Sequence, residues 1–372
     1  MHIVFLAQDI EGKSGWSRYA RDMTYALSRR GHRVTVLVEK ATNDASWCQQ
    51  IVCLQPPLHY LSMSVCALQY LRLRIILAQL SPDIIHIIAE PYALLMGLMP
   101  KRHRWTLTIH GSYAIIPFRA GRWSLWATMR AWKRVQKIIA VSTFTKNYVK
   151  ESEAEIFKQL ELDKKITVIT NAIEIKPQVA KPVPGGIYHI LGVGAVKPRK
   201  GYLEAIRALA ILRKKISHPF RYDIIGSLND TAYVERLRHE CVILNLTEAV
   251  RFLGPVSEEK LIEAYRNADA FLLLSTFHPP YVEGFVLAFM EAAAAGVPSV
   301  GPLTGGCPEA IANARSGYLC HPDDSESVAS CLVKILEEKV IHPRECRAWA
   351  EQHNINDAAK KIEQLYLDAT HF

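Results

Sequence analysis

Two glutamates in one short stretch of the chain have a spacing that suits the two ends of a long ligand. Glu283 and Glu291 stand eight residues apart, and Glu291 lies in an alanine-rich run that ends at Gly296 and Pro298. If the spacing is helical throughout, the two carboxylates are separated by roughly 12 Å along the axis. This distance is too large for two acids that share a proton, so the pair is not the close carboxylate dyad of a glycosidase.

The residues around this pair predict a place for an anion between two polar ends. Glu283 comes just before the predicted helix, whose first backbone N–H groups can bind phosphate. Glu291, two turns later, can accept hydrogen bonds from the hydroxyls of a sugar. Gly305 and Gly306 follow an apolar run and allow the backbone to approach a ligand closely. A ligand with a sugar, a diphosphate and a ribose fits this order, whereas the alternative is a surface helix with two solvated glutamates.

A basic loop supplies candidate partners for a diphosphate. Lys197, Arg199 and Lys200 lie between a predicted strand and a predicted helix, where cations and helix N-terminal N–H groups can meet phosphate. The alternative is a solvated basic turn. Gly192 and Gly194 do not complete a G-x-G-x-x-G motif, so a nicotinamide cofactor is not supported. The chain also has no Asp-x-Asp sequence for a divalent metal. We therefore expect no metal and no cofactor, with protein cations stabilising the diphosphate.

In the first half of the chain, candidate residues lie where predicted strands end. The order strand, glycine loop, helix and strand over residues 1–38 predicts a parallel sheet, and such sheets bind ligands at the carboxyl ends of their strands. Gly15 lies in the first of these loops. His110 ends the apolar run that begins at Trp105, where a neutral imidazole can hydrogen-bond a sugar. A structural turn and a structural histidine are the alternatives.

The stretch 283–309 resembles the signature of the large retaining glycosyltransferase group called family 4. The matching residues are Glu-Gly-Phe-Val-Leu at 283–287, Glu291, Ala-Gly-Val-Pro at 295–298 and Gly-Gly-Cys-Pro-Glu at 305–309. The resemblance implies the GT-B fold, which has two Rossmann-like, doubly wound α/β domains facing a cleft. It covers most of the chain and is tightest over residues 190–320.

The resemblance also implies roles for individual residues. His110, Glu283 and Lys200 correspond to catalytic positions, with His110 and Glu283 beside the donor sugar. The donor-binding positions are Gly15, Arg199, Lys200, Phe285, Val286, Leu287, Glu291, Gly305 and Gly306. Two departures from the family pattern are present. Val286 replaces the second glycine of the usual Gly-Phe-Gly-Leu, and Ala195 stands where the family has a phosphate-binding arginine, for which Arg199 or Lys197 can substitute.

The implied function is a metal-independent, retaining transfer of a hexosyl group. The donor is a UDP- or GDP-linked sugar, and the acceptor is a hydroxyl of a sugar, a glycan, or a lipid-linked or polysaccharide precursor. Two alternatives remain open. One is a catalytically impaired GT-B protein that binds membranes or nucleic acid, and the other is a nucleotide-sugar epimerase.

The length of 372 residues predicts two domains. The expected acceptor-side domain covers residues 1–180 and the expected nucleotide-sugar domain covers 186–352, with a proline-rich linker around Pro177, Pro182 and Pro184. Residues 353–372 form an amphipathic helix that the resemblance directs back toward the first domain.

Charge and composition indicate the surroundings of the protein. Residues 1–180 carry 24 Lys and Arg against 13 Asp and Glu, a net charge of +11, whereas residues 181–372 carry a net charge of −2. Segment 118–137 mixes tryptophans with arginines and lysines, which is typical of a helix lying on anionic lipid, although a packed helix with a solvated basic face is equally consistent. We expect no nucleic acid partner.

We expect a cytoplasmic location, peripheral on the inner face of the membrane. The eight cysteines show no zinc spacing and predict reduced thiols. No apolar run is expected to be long enough to span a bilayer, because the most apolar stretch, 84–99, is interrupted by His86, Glu90 and Pro91.

Overall fold

The computed structural model describes residues 1–176 and 186–370. The chain forms two compact units. The first comprises Met1–Glu174 together with the residues from Ile355 onward, and the second comprises Ile175–Asn354. The first unit thus ends before residue 180, the boundary expected from the sequence. The linker prolines 177, 182 and 184 lie outside the described residues.

The first unit is built on one parallel sheet. Its strands are β1 (His2–Leu6), β2 (Arg33–Val38), β3 (Gln49–Val52), β4 (Ile84–Ile87), β5 (Trp105–Ile109), β6 (Lys137–Ala140) and β7 (Ile166–Val168). The strand order is β3-β2-β1-β4-β5-β6-β7, so the winding reverses between β1 and β4. The central strands are apolar and fully buried because helices cover both faces of such a sheet.

Nine α-helices among the described residues belong to this unit. They are α1 (Gly15–Arg29), α2 (Met63–Leu80), α3 (Ala93–Leu98), α4 (Ser112–Arg119), α5 (Arg122–Arg134), α6 (Thr143–Ser152), α7 (Ala154–Gln159), α8 (Leu162–Lys165) and the C-terminal α15 (Ile355–Thr370). Helix α1 packs against α15, and α3 packs against both α2 and α5.

The second unit is also built on one parallel sheet, which has six strands where the first has seven. Its strands are β8 (Tyr188–Val193), β9 (Phe220–Ile225), β10 (Val250–Gly254), β11 (Ala270–Leu272), β12 (Ser299–Pro302) and β13 (Gly317–Cys320). Their order is β10-β9-β8-β11-β12-β13, with the reversal between β8 and β11. The helices are α9 (Tyr202–Leu212), α10 (Thr231–Ile243), α11 (Glu258–Asn267), α12 (Leu287–Ala294), α13 (Ser325–Leu336) and α14 (Pro343–Glu351). The expected α/β class with two Rossmann-like, doubly wound sheets is confirmed.

Helix α15 is part of the core of the first unit. Its buried Ile362 and Tyr366 belong to the same apolar cluster as Met23 and Leu27 of α1. The Tyr366 hydroxyl lies 2.5 Å from Nδ1 of the buried His86 on β4. The last helix therefore reaches the central strands of a sheet formed by residues some 280 positions earlier in the chain.

Segment 118–137 is not one interfacial helix. It contains the end of α4, a break at Gly121, α5, and the start of β6 at Lys137. Trp132 is buried and Trp123 is half-buried, so two of the three tryptophans pack into the protein. Trp126 is 49% exposed, and the Arg130 guanidinium lies 5.6 Å from the centre of its ring. Trp132 and Trp123 have a packing role, because a helix beside a sheet must bury one face.

The expectation that no apolar run is long enough for a membrane span is wrong for α2. Among the described residues, Met63–Leu80 is a helix that by length and composition alone could cross a bilayer, and 17% of it is buried within the protein. The stretch 84–99, which the sequence pointed to, is instead divided between β4 and the buried α3. Sequence reasoning missed α2 because its apolar run contains Arg72 and Arg74.

We expect Tyr366→Phe to destabilise the first unit by about 1–3 kcal/mol, because it leaves a buried histidine nitrogen without its partner. Urea unfolding followed by tryptophan fluorescence is a suitable measurement, since six of the seven tryptophans lie in residues 1–174. Lys361→Ala on the exposed face of α15 is the control and should unfold as the wild type does. Equal unfolding midpoints for Tyr366→Phe and the wild type would contradict this role.

Candidate active site

The principal candidate residues of the second unit lie where its sheet reverses direction. The loop after β8 contains the turn Pro198–Lys200, and the loop after the neighbouring β11 leads to Glu283. Two loops that leave adjacent parallel strands in opposite directions open a crevice, which is where such sheets bind ligands. The loops are joined directly, because the Thr276 N–H donates to the Arg199 carbonyl at 2.9 Å.

The Glu283 carboxylate accepts hydrogen bonds from both cations of the basic loop. Its Oε1 lies 2.8 Å from the Lys200 ammonium and also accepts from the Arg199 guanidinium. Burial, followed by the Arg199 charge, lowers the pKa of Lys200 to about 7. When Lys200 is protonated, the three side chains together carry a net charge of +1.

Two glycines allow the loops around Glu283 to approach each other. A Cβ on Gly306 would lie 1.8 Å from the Gly284 carbonyl oxygen, and one on Gly305 would lie 2.6 Å from that of Glu283. The Gly306 N–H donates to the Glu283 carbonyl at 2.8 Å. Gly305 and Gly306 therefore position Glu283 through backbone packing, whereas the sequence had suggested only approach to a ligand.

Helix α12 begins later than the spacing of the two glutamates implied. It starts at Leu287, with Val286 at the N-cap and no side-chain cap, so Glu283 lies in the preceding loop. The separation of roughly 12 Å assumed helical spacing throughout, and this condition is not met, since only the last part of the interval is helical. Phe285 and Val286 are buried and Leu287 is half-buried.

Glu291 lies on α12 and is held by a residue that the sequence did not single out. The Tyr265 hydroxyl of α11 donates to Glu291 Oε2 at 2.8 Å, and Tyr265 itself is buried. This contact fixes one carboxylate oxygen of Glu291. No sequence signal pointed to Tyr265, because it lies 26 residues earlier on a different helix.

The first unit holds its own group of candidate residues where β4 and β5 end. The backbone N–H of His110 donates to Glu90 Oε1 at 2.6 Å. Burial lowers the pKa of His110 to about 3, so the imidazole is neutral, and its Nε2 has no partner among the described residues. Burial raises the pKa of Glu90 to about 8. Glu90 was missed as a site residue, although its position directly after a buried strand pointed to this edge.

Gly15 is the first residue of α1. It is exposed, and a Cβ at this position would meet nothing within 4 Å. Ser14 caps the helix, and its hydroxyl accepts from the Ser17 N–H. Asp9 accepts a hydrogen bond from the Ser17 hydroxyl and so closes the loop after β1. Gly15 thus lies at a helix N-terminus, and its role in binding the donor stays a prediction.

We expect Gly306→Ala to destabilise the second unit by at least about 2 kcal/mol, because the added Cβ collides with backbone. Urea unfolding followed by far-ultraviolet circular dichroism measures the change. Gly15→Ala is the matched control, since its Cβ enters open space. Wild-type stability of Gly306→Ala would contradict the packing role.

We expect Glu90→Gln to flatten the pH dependence of stability of the first unit. The folded state keeps a proton up to about pH 8, whereas the unfolded chain releases it near 4.5, so this contribution is fully present below pH 4.5 and is lost as pH rises through 8. Between pH 5 and 8 the wild type should lose on the order of 3 kcal/mol more than the variant. Urea unfolding at both pH values measures this difference. The exposed Glu155→Gln is the control, and identical slopes for Glu90→Gln and the wild type would contradict the assignment.

The sequences of both units match models of known protein families. The family model of the glycosyl transferases group 1 matches residues 176–361, and that of glycosyltransferase family 4 matches residues 13–177. Glycogen synthase of Mycobacterium tuberculosis is 32% identical over 214 residues, which are 55% of this chain and 49% of that protein. D-inositol 3-phosphate glycosyltransferase of Corynebacterium efficiens is 31% identical over 183 residues, 48% of this chain and 42% of that protein. The chain thus spans about half the length of the curated relatives it matches.

Solved structures share the fold over the full chain. Sucrose-phosphate synthase from Thermosynechococcus elongatus superimposes with a TM-score of 0.77 at 18% identity and 99% coverage of both chains. Anabaena HepE in complex with UDP-glucose gives a TM-score of 0.73 at 19% identity and 98% coverage of both chains. The resemblance to family 4 is confirmed, and with one family model matching half of its residues, the chain belongs to the glycosyl transferases group 1 and has the GT-B fold.

Proposed function

We propose that the protein transfers a sugar from a nucleoside diphosphate sugar to a hydroxyl acceptor, with retention of the anomeric configuration. The observation that carries this proposal is the cluster of Lys200, Arg199 and Glu283 at the reversal point of the second sheet. Two cations share a carboxylate there, and a diphosphate brings the negative charge that this cluster lacks. The Anabaena neighbour crystallised with UDP-glucose supports the donor class.

Lys200 and Arg199 bind the donor diphosphate in this proposal, and Arg199 takes over the role of the family arginine that Ala195 replaces. The first N–H groups of α12 add positive potential, since no side chain caps them. These protein groups stabilise the charge that develops on the leaving nucleoside diphosphate and supply the stabilisation that a metal gives elsewhere.

Glu283 and Glu291 hold the two ends of the donor. Once the diphosphate competes for Lys200 and Arg199, the Glu283 carboxylate accepts hydrogen bonds from sugar hydroxyls. Glu291 binds the ribose in this proposal, and its contact with Tyr265 orients the carboxylate. The buried Phe285 and Val286 fix the backbone between them.

The proposed chemical step is a substitution on one face of the sugar. The bond between the anomeric carbon and the β-phosphate oxygen breaks, and its electron pair stays on the nucleoside diphosphate. The acceptor oxygen forms a bond to the anomeric carbon from the same side, and its proton passes to the departing phosphate oxygen. Neutral His110 hydrogen-bonds the sugar, for which its Nε2 has no competing partner among the described residues.

The strongly basic sequence of residues 1–180 supports an acceptor that lies at an anionic surface. We propose a glycan or lipid-linked precursor as acceptor, at the cytoplasmic face of a membrane. Segment 118–137 contributes the exposed Trp126 and Arg130 to such a surface. The relatives are named for different molecules, glycogen in one and D-inositol 3-phosphate in the other, so they support the reaction class and not one particular acceptor.

The test measures slow release of nucleoside diphosphate from UDP- and GDP-sugars and the anomer formed when an acceptor is added. We expect Lys200→Met to lower this release at least about 100-fold, as loss of one charged donor to a leaving group does. Glu291→Ala should raise the donor Kd at least about 10-fold. Lys215→Met, an exposed lysine of the same unit paired with Glu326, is the control and should match the wild type.

Three outcomes would contradict the proposal. Conversion of the donor sugar to its epimer with no acceptor present would identify an epimerase. Salt-sensitive RNA binding, with no effect of any nucleotide sugar on thermal stability, would favour a binding protein. Equal rates of donor hydrolysis by Lys200→Met and Lys215→Met would show that the basic cluster has no role in the mechanism.

A further inference from the structure

Two cysteine sulfurs of the second unit lie within hydrogen-bond distance of each other. The Cys320 thiol donates to the Cys331 sulfur at 3.3 Å. Cys320 is the last residue of β13 and is 2% exposed, whereas Cys331 lies on α13 and is only half-buried. The sulfurs of a disulfide are about 2.05 Å apart, so closing a bond between these two requires a movement of about 1.2 Å.

The two thiols differ in reactivity as the members of a redox pair do. The hydrogen bond from Cys320, together with the charge of Lys334, lowers the pKa of Cys331 to about 7, although burial and Asp324 oppose this shift. The same hydrogen bond, together with burial, raises the pKa of Cys320. A thiolate is the form that attacks an oxidant, and Cys331 is also the more exposed of the two. An oxidant in solution therefore reaches the more reactive sulfur first.

The remaining six cysteines do not combine these properties. Among the described residues, Cys320 and Cys331 are the only two cysteines whose sulfurs lie within hydrogen-bond distance of each other. Burial raises the pKa of each of the others, which are Cys48, Cys53, Cys66, Cys241, Cys307 and Cys346. Their thiolate populations at neutral pH are correspondingly small, so oxidation should select the pair.

The pair lies next to a loop of the candidate active site. Cys320 is the partner of Pro302 in the register between β13 and β12, and its carbonyl accepts from the Leu303 N–H at 2.9 Å. Three residues after Leu303, the Gly306 N–H donates to the Glu283 carbonyl at 2.8 Å. A displacement of Cys320 therefore acts on a loop, 303–306, that packs against Glu283.

The strand end has less to hold it than the helix does. Helix α13 packs against α9 and against three strands, and its Val328, Ala329 and Leu332 are fully buried. Strand β13 is the last strand of its sheet, so it has ladder hydrogen bonds on one side only. When the two sulfurs approach each other, we expect Cys320 to move toward α13 and its hydrogen bond to the loop 303–306 to weaken.

We propose that Cys320 and Cys331 form a reversible disulfide with a peroxide as oxidant, and that this bond loosens the loop 303–306. The Cys331 thiolate attacks one oxygen of hydrogen peroxide, the O–O bond breaks, and the hydroxide that leaves takes up a proton to become water. The Cys320 thiol then attacks the sulfur of the resulting sulfenic acid. The S–O bond breaks, and the thiol proton leaves with the hydroxyl group as a second water.

The two steps balance, since two thiols are oxidised to one disulfide and one peroxide is reduced to two waters. A small dithiol reverses the change by thiol–disulfide exchange. The disulfide and the loosened loop do not depend on sugar transfer, whereas any effect of the loop on donor binding rests on the proposed function.

The first experiment detects the bond in the full-length protein. The reduced protein is treated with hydrogen peroxide, its remaining thiols are alkylated, and tryptic peptides are analysed by mass spectrometry without reduction. Both cysteines lie in one tryptic peptide, residues 316–334. We expect this peptide to lose two hydrogen atoms and to escape alkylation, and we expect dithiothreitol to restore both thiols.

The second experiment measures hydrogen exchange in the reduced and the oxidised protein. Peptides that cover 303–306 should exchange at least about fivefold faster after oxidation, which is the effect of weakening one backbone hydrogen bond. Peptides of β1 and α1 in the first unit should exchange at the same rate in both forms. This readout requires no nucleotide sugar.

Three variants make the result specific to the pair. Cys331→Ser should slow the reaction with peroxide at least about 10-fold and abolish the loop response, because the thiol that remains is buried and protonated. Cys320→Ser should leave a sulfenic acid on Cys331, which dimedone traps. Cys48→Ser removes a half-exposed cysteine of the first unit and should behave as the wild type does. Cys331→Ser replaces a half-buried residue, so it carries the test even if the buried Cys320→Ser lowers the unfolding temperature.

The proposal is overturned if peroxide produces no bond between Cys320 and Cys331, or if Cys331→Ser reacts as fast as the wild type. Equal hydrogen exchange of 303–306 in the oxidised and the reduced protein would overturn it as well. Donor hydrolysis by the fully reduced protein reports separately on the proposed transferase, because neither cysteine belongs to the candidate active site. A reduced protein without transferase activity leaves the redox pair standing, and a missing disulfide leaves the transferase standing.

Discussion

The close approach of two backbone loops in the second unit is the constraint on which the candidate active site depends. Gly306 lies so near the Gly284 carbonyl that no side chain fits between them. This contact holds Glu283 in the loop between β11 and α12, beside the loop that follows β8. Lys200 and Arg199 reach its carboxylate only because β8 and β11 are neighbours in the sheet. Sheet topology brings the charges together, and the glycines set their geometry.

The buried ionisable side chains discussed above are charged in the second unit and neutral in the first. In the second unit, the cations that face Glu283 form a charged group, even though burial lowers the pKa of Lys200. In the first unit, burial keeps His86 and His110 neutral and holds a proton on Glu90 near neutral pH. The first unit therefore offers neutral hydrogen-bonding groups at its strand ends, whereas the second offers charge.

The outer surface of the first unit shows a separate constraint. Helices α2 and α5 both pack against α3, so their buried faces are determined by the core. Their outer faces carry leucine, isoleucine, tryptophan and arginine in place of the mixed charges of an ordinary solvated helix.

The sequence by itself determined the fold class and most of the candidate residues. Long buried runs such as 84–88, followed by glycine loops and helices, are compatible with few folds other than parallel α/β sheets. The fixed spacing of the motif from Glu283 to Glu309 indicated the family. The tertiary structure alone decided which side chains meet. The Glu90–His110, Tyr265–Glu291 and His86–Tyr366 contacts join residues between 20 and 280 positions apart, and no local pattern encodes such pairs. It also decided which apolar residues stay exposed, as on α2, because burial depends on neighbours that only the packed fold supplies.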